Sequence, residues 1–195
     1  MRPLENLEKY DVVLASNSPR RKQLLEELGV KFRIFIIPGI DESYPEFYPA
    51  EEIAPFISKK KASAYQSGIT ANELVITADT VVVCDGEVLG KPHSESEAKK
   101  MLKKLSGNTH DVITGVTITT KDEMSTFKSV TKVKFADLTE EEINHYISKY
   151  QPMDKAGAYG IQEWIGYVGV KSINGSFYNV MGLPVQKLYT ELKRY

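Results

Sequence analysis

Several protein classes are excluded by what these 195 residues lack. There is one cysteine, Cys84, so no internal disulfide can form. It sits in a strand-like run, "TVVVCDG", where packing accounts for it better than nucleophilic chemistry. The opening "MRPLENLEKYD" has no apolar core of the kind a signal peptide needs, and no apolar run approaches the ~20 residues of a membrane helix. The expected location is therefore the cytoplasm, with no membrane partner. Lysine and arginine number 25 against 26 aspartate and glutamate, without the global basicity of a nucleic-acid binder. A nucleic-acid polymer is not an expected partner, and any anion site must be local. The dinucleotide fingerprint GxGxxG and the Walker lysine loop are missing, and His93, His110 and His145 have no metal-like spacing. Linkers and internal repeats are missing too. With 42% hydrophobic residues, the span 1–195 is expected to be a single domain, built as one body or as two joined lobes.

What is present is an alternation of strand and helix patterns. Asp11–Ala15 predicts a strand, and Ser18-Pro19 then opens a helix with Leu24, Leu25 and Leu28 on its apolar stripe and Gly29 at its stop. "KFRIFII" from Lys31 to Ile37 predicts the next strand. A Tyr/Pro-rich connection leads to a helix ending near Gly68, with Pro55 obscuring its start. "ELVITADTVVVCDGEVLG" predicts a hairpin through Asp85-Gly86. Capping-box patterns at Ser94/Glu97 and Thr139/Glu142 open two further helices. Between them, "HDVITGVTITT" and "MSTFKSVTKVKF" predict an antiparallel pair. A short strand is expected near Tyr167–Ile173, a turn at Asn174-Gly175, and a last helix from Pro184. This order predicts an α/β fold with a mixed sheet.

Certain polar residues fit that scaffold poorly unless they have partners. Arg20, Arg21 and Lys22 crowd a helix N-terminus that already carries about +0.5 of a charge, where cations are disfavoured without an anion or solvent. Asp79 lies among β-branched residues in "TADTVVV", where an unpaired carboxylate is costly. A hydrogen-bonded strand-end aspartate would satisfy that pattern. Asp41-Glu42 in a loop, "KKK" at Lys59–Lys61 and "GKP" at Gly90–Pro92 each have a solvated-surface reading. Taken together they can build a nucleotide site. Arg20, Arg21, Lys61 and Lys91 suit phosphate oxygens, and Glu42 with Asp79 suits a hard divalent ion or a water.

The stretches "LASNSPRRKQLL", "DES", "KKKA", "TADTVV", "GKP", "LSGNTHDVITGV", "DKAGAYGIQ" and "NVMGLPV" run in order from Leu14 to Val185, and the chain resembles the Maf family of nucleoside-triphosphate pyrophosphatases in all of them. The resemblance implies an elongated α/β protein, its mixed sheet flanked by helices, with two lobes around a central cleft and a relationship to the inosine-triphosphatase-like fold. It implies a nucleoside triphosphate substrate, cleavage to monophosphate and pyrophosphate, and a divalent metal, Mg²⁺ or Mn²⁺. A homodimer is left open.

By the same resemblance Asp79 is the catalytic acid/base, its alternative role being that of a metal ligand, and Glu42 falls at an active-site position that contributes a phosphate or metal contact. Ser16, Arg21, Lys61 and Lys91 fall at active-site positions, while Arg20, Thr80 and Gln162 match positions associated with substrate choice in the branch acting on dTTP and UTP. The chain departs from the family after "YGIQ", where Glu163-Trp164 stands in place of a frequent Gly; Trp164 could stack on a larger base. A non-catalytic nucleotide-sensing or division-regulating protein is the alternative that keeps the same phosphate chemistry.

Overall fold

The opening helix forms where its capping residues place it. In the computed structural model, which describes residues 3–195, the Ser18 hydroxyl accepts the Arg21 N–H at 3.4 Å. Pro19 takes the first position of α1 (Pro19–Glu27), which follows β1 (Asp11–Leu14). Leu24 and Leu25 are its buried residues, and Gly29 turns the chain away at φ 80°, a conformation open to a residue without Cβ. The expected strand over Lys31–Ile37 shrinks to β2 (Arg33–Ile34). Tyr65 is the reason. Its hydroxyl donates to the Phe35 carbonyl at 2.9 Å and accepts the Ile37 N–H at 3.0 Å, taking backbone groups that would otherwise extend the ladder.

Tyr65 itself belongs to α2 (Ala50–Gln66), which continues through Pro55 and buries Ile53, Ala54, Ile57, Ala62 and Tyr65. β3 (Glu73–Cys84) and β4 (Glu87–Leu89) form the expected hairpin, with Asp85 and Gly86 at φ 51° and 77° as a tight turn of matching twist requires. α3 (Glu95–Leu105) is capped by Ser94, but the Glu97 carboxylate takes the His93 N–H at 2.8 Å instead of closing the box on Ser94. The box at Thr139/Glu142 is complete and opens α4 (Glu140–Tyr150). Between those helices run β5 (Thr109–Thr119) and β6 (Met124–Phe135). The strand expected from Tyr167 starts later. Glu163 C=O captures the Gly166 N–H at 2.8 Å, so residues 167–169 complete α5 (Trp164–Gly169) before β7 (Val170–Asn174) begins. A short α6 (Phe177–Met181), not foreseen, and α7 (Val185–Leu192) complete the chain.

One sheet has the order β2-β1-β3-β5-β6-β7, with β4 added on β3. It is mixed, as expected. β1 runs parallel to both β2 and β3 (Val13 opposite Val75), whereas β4 is antiparallel to β3 and β7 to β6. The chain divides into two compact units, passing from one to the other inside β3, β5 and β6 and again after Met181. The first unit holds the chain up to Asp79, Thr114–Ser129 and Gly182–Tyr195. Its core includes Leu14, Leu25, Ile53, Leu74 and Ile76, and α2 comes so close to β5 that a Cβ on Gly115 would stand 2.3–2.5 Å from backbone atoms of Ala54 and Pro55. The second unit holds Thr80–Ile113 and Val130–Met181. There α3 packs on α4, and the rings of His110, Phe135 and Tyr159 meet edge to face at 5.0–5.4 Å.

Candidate active site

The clearest grouping of predicted residues lies in the first unit, and a buried polar ladder sets it up. Ser58 sits on the inward stripe of α2, where a purely structural helix would place an apolar residue. Thr77 on β3 donates to the Ser58 carbonyl at 2.8 Å, and Ser58 Oγ reaches Thr117 Oγ1 at 2.9 Å, which in turn meets Thr126 Oγ1 at 2.9 Å. These bonds fix the register of α2 on the strand. One helical turn beyond Ser58 comes Lys61, and two strand residues beyond Thr77 comes Asp79 on the same face. Lys61 Nζ accordingly meets Asp79 Oδ1 at 2.9 Å and Glu42 Oε2 at 3.1 Å. With side-chain exposures of 15% and 14%, Lys61 and Asp79 are held away from bulk water, while Glu42 at 51% faces it. The loop bearing Glu42 is tied down beside it. Asp41 accepts from Ser43 N–H and from Lys60, which also donates to the Ser43 carbonyl, and these donors hold the Asp41 carboxyl well below the usual carboxylate range.

Arg21 answers the charge question posed by the first turn of α1. Its Nε donates to the Gly182 carbonyl at 2.8 Å, and its NH1 donates to the Ala78 carbonyl at 2.9 Å and contacts Ser16 Oγ at 3.4 Å. Burial pushes this guanidinium below its ordinary value and Arg20 adds to that, while Asp79 and Glu42 oppose it. The anions that make the cation acceptable are thus, in part, the site's own carboxylates. Ser16 is buried and also accepts the Ser18 N–H at 3.2 Å. Ser16, Arg21, Lys61, Asp79 and Glu42 therefore form one connected set, with half-buried Arg20 on the same helical turn as Arg21.

Thr80, Lys91 and Gln162 belong to the second unit. Thr80 is the half-buried residue after Asp79 in β3, and Lys91 is exposed in the loop after β4. Gln162 lies in the turn Gly160–Glu163, with its side-chain oxygen enclosed and without a hydrogen-bond partner among the described residues. Three side chains around that turn escaped notice in the sequence: Tyr146, Lys155 and, as a partner to both, Glu163. Lys155 is buried and pairs with Glu163 Oε1 at 3.1 Å. Trp164 packs its ring against His145, centroids 4.9 Å apart. Cys84 is buried, and its thiol is pushed up mainly by that burial, in keeping with a packing role.

As for a metal, the donor set fits. Two carboxylates already converge on one cationic centre, and Mg²⁺ commonly uses one or two carboxylates with water and substrate phosphates completing its shell. No cluster of three or more His, Cys, Asp or Glu side chains suited to a metal occurs among the described residues. Nor is any helix among them long and apolar enough to cross a membrane.

Residues 11–195 match the family described as Maf-like protein. A protein of Phocaeicola vulgatus named dTTP/UTP pyrophosphatase is 60% identical over 191 residues, covering 98% of this chain and 99% of the relative. Proteins with the same name from Bacteroides thetaiotaomicron and Porphyromonas gingivalis are 57% and 50% identical, covering 98% and 97% of this chain and 99% and 96% of their own. Among solved structures, a HAM1 protein from Coxiella burnetii matches with a TM-score of 0.53 at 16% identity, covering 95% of this chain and all of that one. At that identity the likeness concerns the fold alone, and it is the fold relationship the resemblance implied.

Proposed function

The chain belongs to the Maf-like protein family, and from that premise we propose that it hydrolyses nucleoside triphosphates, dTTP and UTP foremost, to the monophosphate and pyrophosphate. The observation that carries the reading is the convergence of Glu42 and Asp79 on Lys61 at 3.1 and 2.9 Å, midway along a strand whose register is locked by buried hydroxyls. Such a group has the charges that cleavage of a phosphoric anhydride demands. A cation neutralises phosphate oxygens, and a carboxylate handles the proton of water.

Asp79 Oδ1 holds Lys61, and its second oxygen takes the proton of the water attacking the α-phosphorus. Pyrophosphate departs on the opposite side. A divalent ion, Mg²⁺ or Mn²⁺, would be held by Glu42 with the Asp79 carboxylate beside it, and would supply Lewis-acid stabilisation of the developing phosphate charge. Lys61 neutralises oxygens of the triphosphate chain. Arg21 acts chiefly from behind, keeping the Ala78 carbonyl, and so the stretch of β3 bearing Asp79, in place. Thr80, in the same unit, joins Gln162 in substrate choice. With the Gln162 oxygen enclosed, its Nε2 amide is the side-chain group left to meet a base; it suits the O4 carbonyl of thymine or uracil, whereas cytosine presents an amino group there and leaves the amide N–H unpaired.

The test is a turnover panel over dTTP, UTP, CTP and the purine triphosphates, with and without a chelator, resolving monophosphate, pyrophosphate and orthophosphate. We expect dTTP and UTP to be cleaved with the highest kcat/KM, pyrophosphate as the product, and activity lost on chelation and restored by Mg²⁺ or Mn²⁺. Tight binding of dTTP without turnover would replace the enzyme with the sensing reading. Equal efficiency with purine triphosphates would overturn the pyrimidine preference and leave the pyrophosphatase standing.

A further inference from the structure

The turn that carries Gln162 is closed twice. Along the backbone, the Glu163 N–H donates to the Gly160 carbonyl at 3.0 Å. The same two residues are then bound by a single phenol. Tyr146, fully buried on α4, accepts the Gly160 N–H at 2.9 Å and donates its own proton to Glu163 Oε2. The other carboxylate oxygen, Oε1, meets Lys155 Nζ at 3.1 Å, and Lys155 also holds Asp154 at 2.8 Å. Side-chain exposures of 9% for Lys155 and 20% for Glu163 put this ion pair largely out of water, where it resists rearrangement. Space is equally constrained. A Cβ on Gly160 would lie 3.0–3.1 Å from the Glu163 carboxylate and Lys155 Cε, so glycine is what the cluster accommodates there. Burial and the adjacent carboxylate push the Tyr146 phenol well above its ordinary value, which keeps it a proton donor throughout the working range.

Between those fixed ends lie buried Ile161 and then Gln162 with its enclosed oxygen. We propose that Glu163, held by Tyr146 and Lys155, is a positioning residue that fixes the Gln162 amide and thereby sets the discrimination between thymine or uracil and cytosine. This rests on the assignment of Gln162 as the base reader. Rejecting a base by leaving the amide N–H unpaired works only if that amide, anchored with its oxygen enclosed, cannot swing to a new partner, and a site group must be held within roughly 0.5 Å to discriminate. Apolar packing alone would leave a polar turn free to shift. The phenol, the ammonium and the carboxylate together remove that freedom, which gives the Glu163 at this position a reason to replace the family's frequent glycine.

A double-mutant cycle on the full chain tests the proposal. The variants are Gln162→Ala, Tyr146→Phe, Glu163→Gln and the pair Tyr146→Phe/Gln162→Ala, with kcat/KM for dTTP and for CTP measured beside the melting temperature. Tyr146→Phe is expected to lower the dTTP-to-CTP ratio about tenfold, Gln162→Ala by a similar factor, and the double variant no further, because the phenol acts on the ratio only by positioning that amide. Should Tyr146→Phe fail to fold, Glu163→Gln, which keeps an oxygen for the phenol but not the charge for Lys155, serves in its place. Additive losses, or an equal fall in kcat/KM for both nucleotides with a lowered melting temperature, would make the cluster a support for α5 only and overturn the inference. An unchanged ratio in Gln162→Ala would overturn the base-reading assignment and this inference with it. A changed ratio there and an unchanged one in Tyr146→Phe and Glu163→Gln would overturn this inference alone.

Discussion

Asp79 has the most specific environment of any predicted site residue, and the structure shows why an acidic residue tolerates a strand of valines. Lys61 at 2.9 Å supplies the counter-charge, and Arg21, bonded to the neighbouring carbonyl of Ala78, supplies more. Asp79→Asn preserves volume and leaves Lys61 its contact with Glu42, so the fold should survive. On the proposed mechanism it removes the group that takes the proton from water. We expect kcat to fall by about 10²–10⁴-fold while the melting temperature moves by only a few degrees, measured by pyrophosphate release and a thermal melt. Near wild-type turnover in the folded variant would show that Asp79 is not the proton acceptor. Arg21 carries a lesson of its own at this scale. Composition marked it as a phosphate ligand, whereas its donors at Nε and NH1 are directed to Gly182 and Ala78 carbonyls and to Ser16.

Elements matter to this site through register. α2 delivers Lys61 to Asp79 because Ser58 locks onto Thr77 and Thr117, and because β5 lies against the helix with no side chain between them at Gly115. A methyl group there would fall 2.3 Å from Pro55 N and 2.4–2.5 Å from the Ala54 carbonyl, contacts that only backbone movement can relieve. Gly115→Ala should therefore cost about 1–3 kcal/mol or more in a denaturant melt and lower turnover by displacing Lys61. A variant as stable and active as wild type would mean that the approach of β5 to α2 does not set the position of Lys61. The capping boxes illustrate how far local patterns reach. Thr139/Glu142 closes fully, yet Glu97 prefers the His93 N–H, because that donor is also unpaired at the same helix end.

For the whole molecule, stability should depend on pH through His110. The ring is buried, bonded through Nε2 to Tyr159 at 2.7 Å, with Nδ1 unpartnered among the described residues, and burial lowers its pKa to about 4 despite the opposing charge of Asp111. The unfolded chain takes up this proton near pH 6.5, the folded protein only near 4, so stability is full above the first value and is lost as pH falls towards the second. The loss is about 3 kcal/mol. Denaturant melts from pH 7 to 4 should show wild type losing that much more than His110→Gln; parallel profiles would rule the ring out. By itself the sequence determined the α/β order, the caps at Ser18, Ser94 and Thr139, the turn at Asp85-Gly86 and the identity of the charged residues, since these depend on neighbours within about four positions. Only the tertiary structure decided which partner each charge takes. Lys61 finds Asp79 18 residues away and Arg21 finds Gly182 161 away, and Tyr146 joins Gly160 to Glu163 from another helix. Neighbours three or four apart on a helix, such as Lys22 and Glu26, can be paired from spacing, whereas groups from distant parts of the chain come within about 4 Å only where folding brings them.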